Sequence, residues 1–230
     1  MSRTIKLVLE ILGVLTVFTF SILMLSTISQ YLSFETNIGF LQFKQQIVGS
    51  KFWLAFFYIH IFSVVICLLA GLTQFSSAFL KTNRKAHRII GKIYAYNILV
   101  VNVPACFVLA VFSNGGFLGI SGFVIQNLLW AFFTLGAILQ IRKGNIAQHR
   151  NFMVFSYAIT TTALTFRILK NLIFNESRHS YELFYGLNVW ISLAINLAIA
   201  WLIVRNYKDF SPFERNRLYD DHKRNGEQNQ

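Results

Sequence analysis

Acidic residues are scarce in this chain. Asp and Glu together number 9 in 230 residues, and none falls in the middle of a long apolar run. Proton pumps and cation-coupled transporters usually set a carboxylate at mid-depth in the membrane, so the scarcity weighs against that class. Charge of either sign is sparse as well, at 13% of residues, about half the share of an ordinary soluble domain. There are only 2 cysteines. Cys67 and Cys106 show no CxxC or zinc-type spacing and fall at different depths of different predicted helices, so neither a disulfide nor a zinc site is expected. Walker, HExxH, GxSxG and GxGxxG patterns are all missing.

Apolar sequence is abundant. Hydrophobic residues make up 55% of the chain and aromatics 16%, with a mean hydropathy of +0.52. Successive apolar runs of about twenty residues are each long enough to cross about 30 Å of hydrocarbon as a helix. This predicts an all-α polytopic membrane bundle of six transmembrane helices, roughly 6–29, 52–75, 88–112, 117–141, 149–173 and 183–204. The breaks are chemically plain: Ser113-Asn114-Gly115-Gly116 reads as a tight turn, and Arg142 to Gln148 and Asn175 to Ser180 are short polar loops. Pro104 sits inside the third crossing and predicts a bend there. Met1 to Lys6 is basic, and the run Leu7–Ile28 behind it is too long for a signal-peptide core, so it reads as a retained first helix. The Gln30–Ser50 segment is expected to lie on the membrane surface. The helical region would be residues 1–204, followed by a polar tail, 205–230.

Net charge is +12. With no basic, aromatic-interleaved patch outside the apolar runs, the excess reads as topogenic and no nucleic acid is expected. With an even number of crossings both termini share a side. That side collects Arg3, Lys6, Lys81, Arg84, Lys85, Arg88, Lys92, Arg142, Lys143, Arg150 and the tail's Arg205, Lys208, Arg215, Arg217, Lys223 and Arg224. Only Lys44, Lys51 and Arg178 fall opposite, while Arg167 and Lys170 lie within the fifth crossing. Basic residues gather in cytoplasmic loops, so both termini are predicted to be cytoplasmic.

Two strings nearly repeat each other: Ala86-His87-Arg88-Ile89-Ile90-Gly91-Lys92-Ile93-Tyr94 and Gln148-His149-Arg150-Asn151-Phe152-Met153-Val154-Phe155-Ser156-Tyr157. Each sets a His-Arg pair at the start of an apolar run with a tyrosine about two turns further on. They open the helical hairpins 86–141 and 148–204, which hints at an internal repeat. Two readings stand side by side. In one, His87 and His149 are interfacial residues and Arg88 and Arg150 are topological anchors. In the other, the two imidazoles share a depth and ligate one haem b through its iron, with Arg88 and Arg150 on the propionates. Tyr94 and Tyr157 are interface anchors in the first reading and contacts to the cofactor edge in the second.

The crossings carry further polar residues. On the fifth, His149, Met153, Ser156, Thr160, Ala163 and Arg167 fall on one face at 100° per residue. The second has a similar stripe of His60, Ser63, Cys67, Gly71 and Gln74. Polar faces turn inward in lipid, which makes His60, Gln74 and Arg167 candidates for an outer-leaflet ligand site. His60 alone reads more readily as a buried histidine hydrogen-bonded to a neighbouring helix. Arg167 has no acid partner in its crossing. It snorkels, reaches Glu176 or Glu182, or pairs with an anionic ligand such as a haem propionate, a lipid phosphate or a quinone head. Asn97, Asn102, Gln126, Asn127, Asn188 and Asn196 read as interhelical glue, and His179 and His222 as solvated.

Tyr58-Ile59-His60, Gly71-Leu72-Thr73-Gln74-Phe75, the two His-Arg strings, Ser156-Tyr157 and Arg167 together resemble a family of uncharacterised bacterial membrane proteins, domain of unknown function 2306, over about residues 50–204. The resemblance implies a multi-pass protein of the bacterial inner membrane and brings no activity. The His-Arg-x-x-Gly string is also similar to one in transmembrane b-type cytochromes, which implies haem; the two-haem members use four histidines, where this chain offers one pair and His60. Two functions remain open. One is an electron-transfer protein with one bis-histidine haem near the cytoplasmic face and a quinone or other redox partner. The other is a non-enzymatic small-solute or lipid transporter or accessory subunit.

Overall fold

A polypeptide in hydrocarbon must satisfy its backbone internally, so only helices and closed barrels cross it. The computed structural model of this chain describes residues 15, 18–75, 80, 82–173 and 181–208, and these are helical with no strand among them. Residues 18–29 form the described part of α1. Then follow α2 (Lys51–Gln74), α3 (Arg84–Val111), α4 (Gly116–Arg142), α5 (Ile146–Ile173) and α6 (Tyr181–Lys208). Among the described residues five helices, α2 to α6, are long and apolar enough to span a membrane. Most of the expected first crossing, and the tail from residue 209, lie outside the described residues. α6 runs on to Lys208, past the expected end at 204.

Local chemistry sets the boundaries. Ser50 caps α2 by accepting from Trp53 N, and Asn83 caps α3 by accepting from Ala86 N. Asn145 Oδ1 accepts from Gln148 N at the start of α5, directly after Gly144, whose φ of +74° ends the preceding helix. The third crossing is interrupted where proline requires it. A π-helical segment, Asn97–Asn102, directly precedes Val103-Pro104. Proline has no N–H and crowds the carbonyl four residues back, and a wider turn accommodates both demands.

Helices α2, α3, α4 and α5 form a ring in which each packs on the next and α5 returns to α2. α3 and α5 face each other diagonally, and their backbones stay apart. Short connections make neighbours antiparallel, so α3 and α5 run in the same direction. α6 packs outside the ring against α4 and α5. Asn188 Nδ2 donates to Phe166 O, and Asn196 Nδ2 to Thr165 Oγ1, stitching that seam. Asn97 donates to Ser63 O and Asn127 to Val103 O, so these asparagines hold helices together as expected. No such bond is found for Gln126 among the described residues.

Residues 30–50 pack against the bundle. Two short 3-10 turns, Gln30–Ser33 and Leu41–Lys44, fold over the ends of α2 and α3. Tyr31, Leu41, Val48, Trp53 and Phe57 bury one another there, with Val108 and Leu109 alongside. Apolar side chains at every second or third position gave the segment enough surface to form its own small core. Lys44 fastens it: the ammonium donates to Phe112 O, and to Asn114 Oδ1 at 2.5 Å, satisfying carbonyls where α3 ends. The lysine stem is covered (8% exposed) and the ammonium sits at the edge of a cleft of about 530 Å³. Burial lowers the pKa of Lys44 from its ordinary value, against a smaller upward pull from Glu182.

Lys44→Met keeps the stem and removes the donors. It is expected to destabilise the protein by about 1–3 kcal/mol, because both acceptors lose their partner. A lysine whose pKa is depressed in the folded state binds fewer protons folded than unfolded below 10.5. Stability therefore rises with pH as the folded pKa is passed, and the neutral amine keeps two N–H groups for two acceptors. Thermal unfolding of both proteins in detergent, from pH 7 to pH 10 or so, should show the gap widening with pH.

Candidate functional site

The centre of the ring is filled by one side chain. Tyr94 of α3 is 0% exposed, and its hydroxyl meets Ser156 Oγ and Thr160 Oγ1 of α5, each at 2.9 Å. Thr134 Oγ1 and Trp130 Nε1 of α4 join the same network. Tyr94 thus spans the space that the two parallel backbones leave open. Tyr157 stands beside Tyr94, ring centroids 6.4 Å apart; its hydroxyl donates to Leu68 O of α2, and its ring occupies the space that a side chain on Gly71 would need.

This contact fixes the depth of the two histidines. His87 lies seven residues before Tyr94, and His149 seven before Ser156. Seven residues are about 10 Å of helix with about 20° of rotation. On parallel helices the equal offset sets both imidazoles at the same end and depth. His149 Nδ1 donates to Ala137 O of α4 at 2.8 Å. A carbonyl only accepts, so the proton is on Nδ1 and the lone pair is on Nε2. His87 Nδ1 is buried with no hydrogen-bond partner among the described residues. Both histidines lie inside their helices, because α3 begins at Arg84 and α5 at Ile146, some three residues earlier than expected. Arg88 is exposed and Arg150 half-buried. Each is turned about 100° from its histidine, so the arginines flank this end and do not line it.

The structure divides the second candidate set. Gln74 is 14 residues from His60, about 21 Å along α2. Its side chain lies against Gly91, one turn beyond His87. Gln74 therefore belongs to the His87 end and not to a site with His60 and Arg167. The stripe from His60 to Gln74 runs the length of the helix, and a shared face does not mean a shared depth.

At the opposite end His60 is tied into a polar hub around the π-helical segment. Its Nδ1 donates to Asn102 Oδ1 at 2.9 Å, and Cys106 Sγ lies 3.4 Å from the same nitrogen. Asn102 Nδ2 in turn donates to Asn97 O and Oδ1 and, at 3.8 Å, to Cys67 Sγ. Both cysteines are free. Arg167 of α5 lies within electrostatic reach of His60, Tyr31 and Tyr185. Glu182, one expected partner of Arg167, accepts instead from Gly115 N. Glu176 lies outside the described residues. Among the described residues, no three His, Cys, Asp or Glu side chains gather as a site for a bare metal ion. Two axial histidines on a porphyrin need no such group, because the ring supplies the other four ligands.

Sequence reading missed Lys44 and the glycine face of α4. Gly115, Gly119 and Gly122 are buried, and added Cβ atoms on Gly115 and Gly122 would meet α6 at Gly186 and at Val189. The small-residue spacing that permits such close packing was present in the sequence.

No curated protein and no solved structure matches this chain. Neither comparison carries the likeness to b-type cytochromes. One family, described as predicted membrane protein DUF2306, matches residues 57–204, which takes in His60, both His-Arg strings and Arg167. The chain is a multi-pass membrane protein and belongs to the DUF2306 family.

Proposed function

We propose that this protein holds one b-type haem between His87 and His149 and passes electrons at that end of the bundle. The carrying observation is the placement of two imidazoles at one depth, on diagonally opposed parallel helices whose backbones stay apart. Two features of the residues fit a ligated ring. His149 is held by the Ala137 carbonyl in the tautomer that offers Nε2, the usual outer-shell arrangement of a metal-binding histidine. His87 has a buried nitrogen without a partner. Arg88 and Arg150 flank the opening, where cations suit the carboxylates of such a ring. Tyr94, fully buried with its hydroxyl engaged, closes the site from the middle of the bundle. The bound haem would supply one-electron chemistry.

The charge count supports a cytoplasmic location for this end and for both termini, in a bacterial inner membrane. A reduced-minus-oxidised absorbance spectrum tests the function, on the full chain purified after expression with ample haem supply. Haem bands are expected. A colourless protein would overturn the reading and leave the carrier or accessory-subunit alternative.

A further inference from the structure

Arg167 has an unusual direction. Arginines near a membrane helix end commonly extend toward the nearer interface. Here Nη1 donates to Ala163 O at 2.9 Å, four residues back along α5 and therefore toward the middle of the bilayer. Ala163 is about 15 Å from the end of α5 at Ile173, and His60 about 14 Å from the start of α2 at Lys51. The guanidinium thus sits at the level of His60. It is exposed at the surface of the bundle.

The groups around Arg167 are unequal in kind. The bond to Ala163 O is the sole hydrogen bond of Arg167 among the described residues, which leaves most of its five N–H donors open. No carboxylate among the described residues pairs with it; the groups in reach are Tyr31, Tyr185 and His60. Tyr31 Oη accepts from Phe40 N at 2.8 Å, and its own O–H remains to be given. His60 has given its Nδ1 proton to Asn102. Arg167 therefore offers a fixed positive charge with open N–H donors in a low-dielectric setting, with no carboxylate among the described residues to balance it. An isolated ion there is costly, and a matching counter-ion with several acceptor oxygens relieves that cost.

We propose that Arg167 binds an amphiphile with an oxyanion head and an apolar tail, the head on the guanidinium and the tail in the surrounding lipid. This rests on neither the haem nor its ligands. A free fatty acid and an anionic phospholipid both carry the chemistry. A quinone, expected from sequence as a partner, is uncharged and would leave the guanidinium unbalanced.

Purified full chain in dodecyl maltoside is titrated with oleate, dioleoylphosphatidylglycerol, methyl oleate and a short-tailed ubiquinone, with the midpoint of thermal unfolding as readout. One or both anionic probes should raise the midpoint, and the probe that saturates at the lower concentration identifies the source. Methyl oleate and the quinone should leave it unchanged. Arg167→Met should abolish the shift, and Arg167→Lys should weaken it at least tenfold by losing two-pronged contact. Tyr185→Phe, which keeps the charge and the packing, should weaken binding and provides a second test should Arg167→Met not fold. A shift of equal size from methyl oleate or the quinone overturns the proposal. Undiminished binding in Arg167→Met also overturns it, as does the absence of any shift from either anion. Because the readout needs no colour, a colourless protein that still binds oleate separates this site from the haem reading.

Discussion

Gly115→Val is expected to prevent assembly of α6 on the bundle. Gly115 has φ +91°, a conformation that a β-branched residue adopts only under strain of about 1–2 kcal/mol. The larger effect is spatial. A Cβ there would lie 2.7 Å from Gly186 N and 2.9 Å from Gly186 Cα, and backbone cannot rotate aside as a side chain can. Gly186 is equally tight, with Gly115 O 2.9 Å from where its own Cβ would be. Separating α4 from α6 to admit the side chain would also stretch the Gly115 N–Glu182 and Trp190 Nε1–Leu118 O bonds, which tie the same two helices. A loss above about 3 kcal/mol follows from strain and overpacking together. Gly144→Ala is the matched control. Its φ is +74°, but nothing lies within 4 Å of an added Cβ, so only the backbone term of about 1–2 kcal/mol remains. Thermal unfolding in detergent and yield of monodisperse protein would measure both. Equal effects of the two substitutions would show that helix contact at Gly115 is not limiting.

If His87 and His149 hold a haem as proposed, His149→Ala and His87→Ala, each made alone, are expected to remove its reduced-minus-oxidised bands. Each histidine would supply half of the imidazole ligation, so losing either would weaken the hold on the group. The two variants should differ in stability. His149→Ala releases Ala137 O from its 2.8 Å bond, a loss of about 1 kcal/mol. His87→Ala removes a ring with a buried, unpartnered nitrogen, so the haem-free protein should tolerate it better. Arg88→Gln should leave the bands in place and move the potential, because an exposed cation near the ring carboxylates acts through charge and not ligation. Unchanged bands in the double histidine variant would sink the assignment of the ligands.

The sequence alone determined the class of the protein and most of its helix limits. Apolar runs of spanning length can only be helices in lipid, so α2 to α6 begin and end within about four residues of their expected positions. It also marked the residues that repay inspection. Both His-Arg strings, His60 and Arg167 were visible because a titratable side chain at a membrane helix stands out against its surroundings. Helical periodicity gave the face on which each lies.

Only the tertiary structure decided which of these residues share a place. Periodicity specifies an angle around a helix axis and not a partner at the same depth, so Gln74 was grouped with His60 although about 21 Å of helix separates them. His87 and His149 were already paired from the two His-Arg strings; what the tertiary structure added is the Tyr94–Ser156 contact, which joins their helices through residues 62 apart in sequence. The role of Lys44 was equally hidden: a lone lysine in a loop reads as a solvated charge until the carbonyl at Phe112 and the side chain of Asn114 are seen beside it. The turn of Arg167 onto Ala163 O follows from the geometry of α5, and no residue pattern states it.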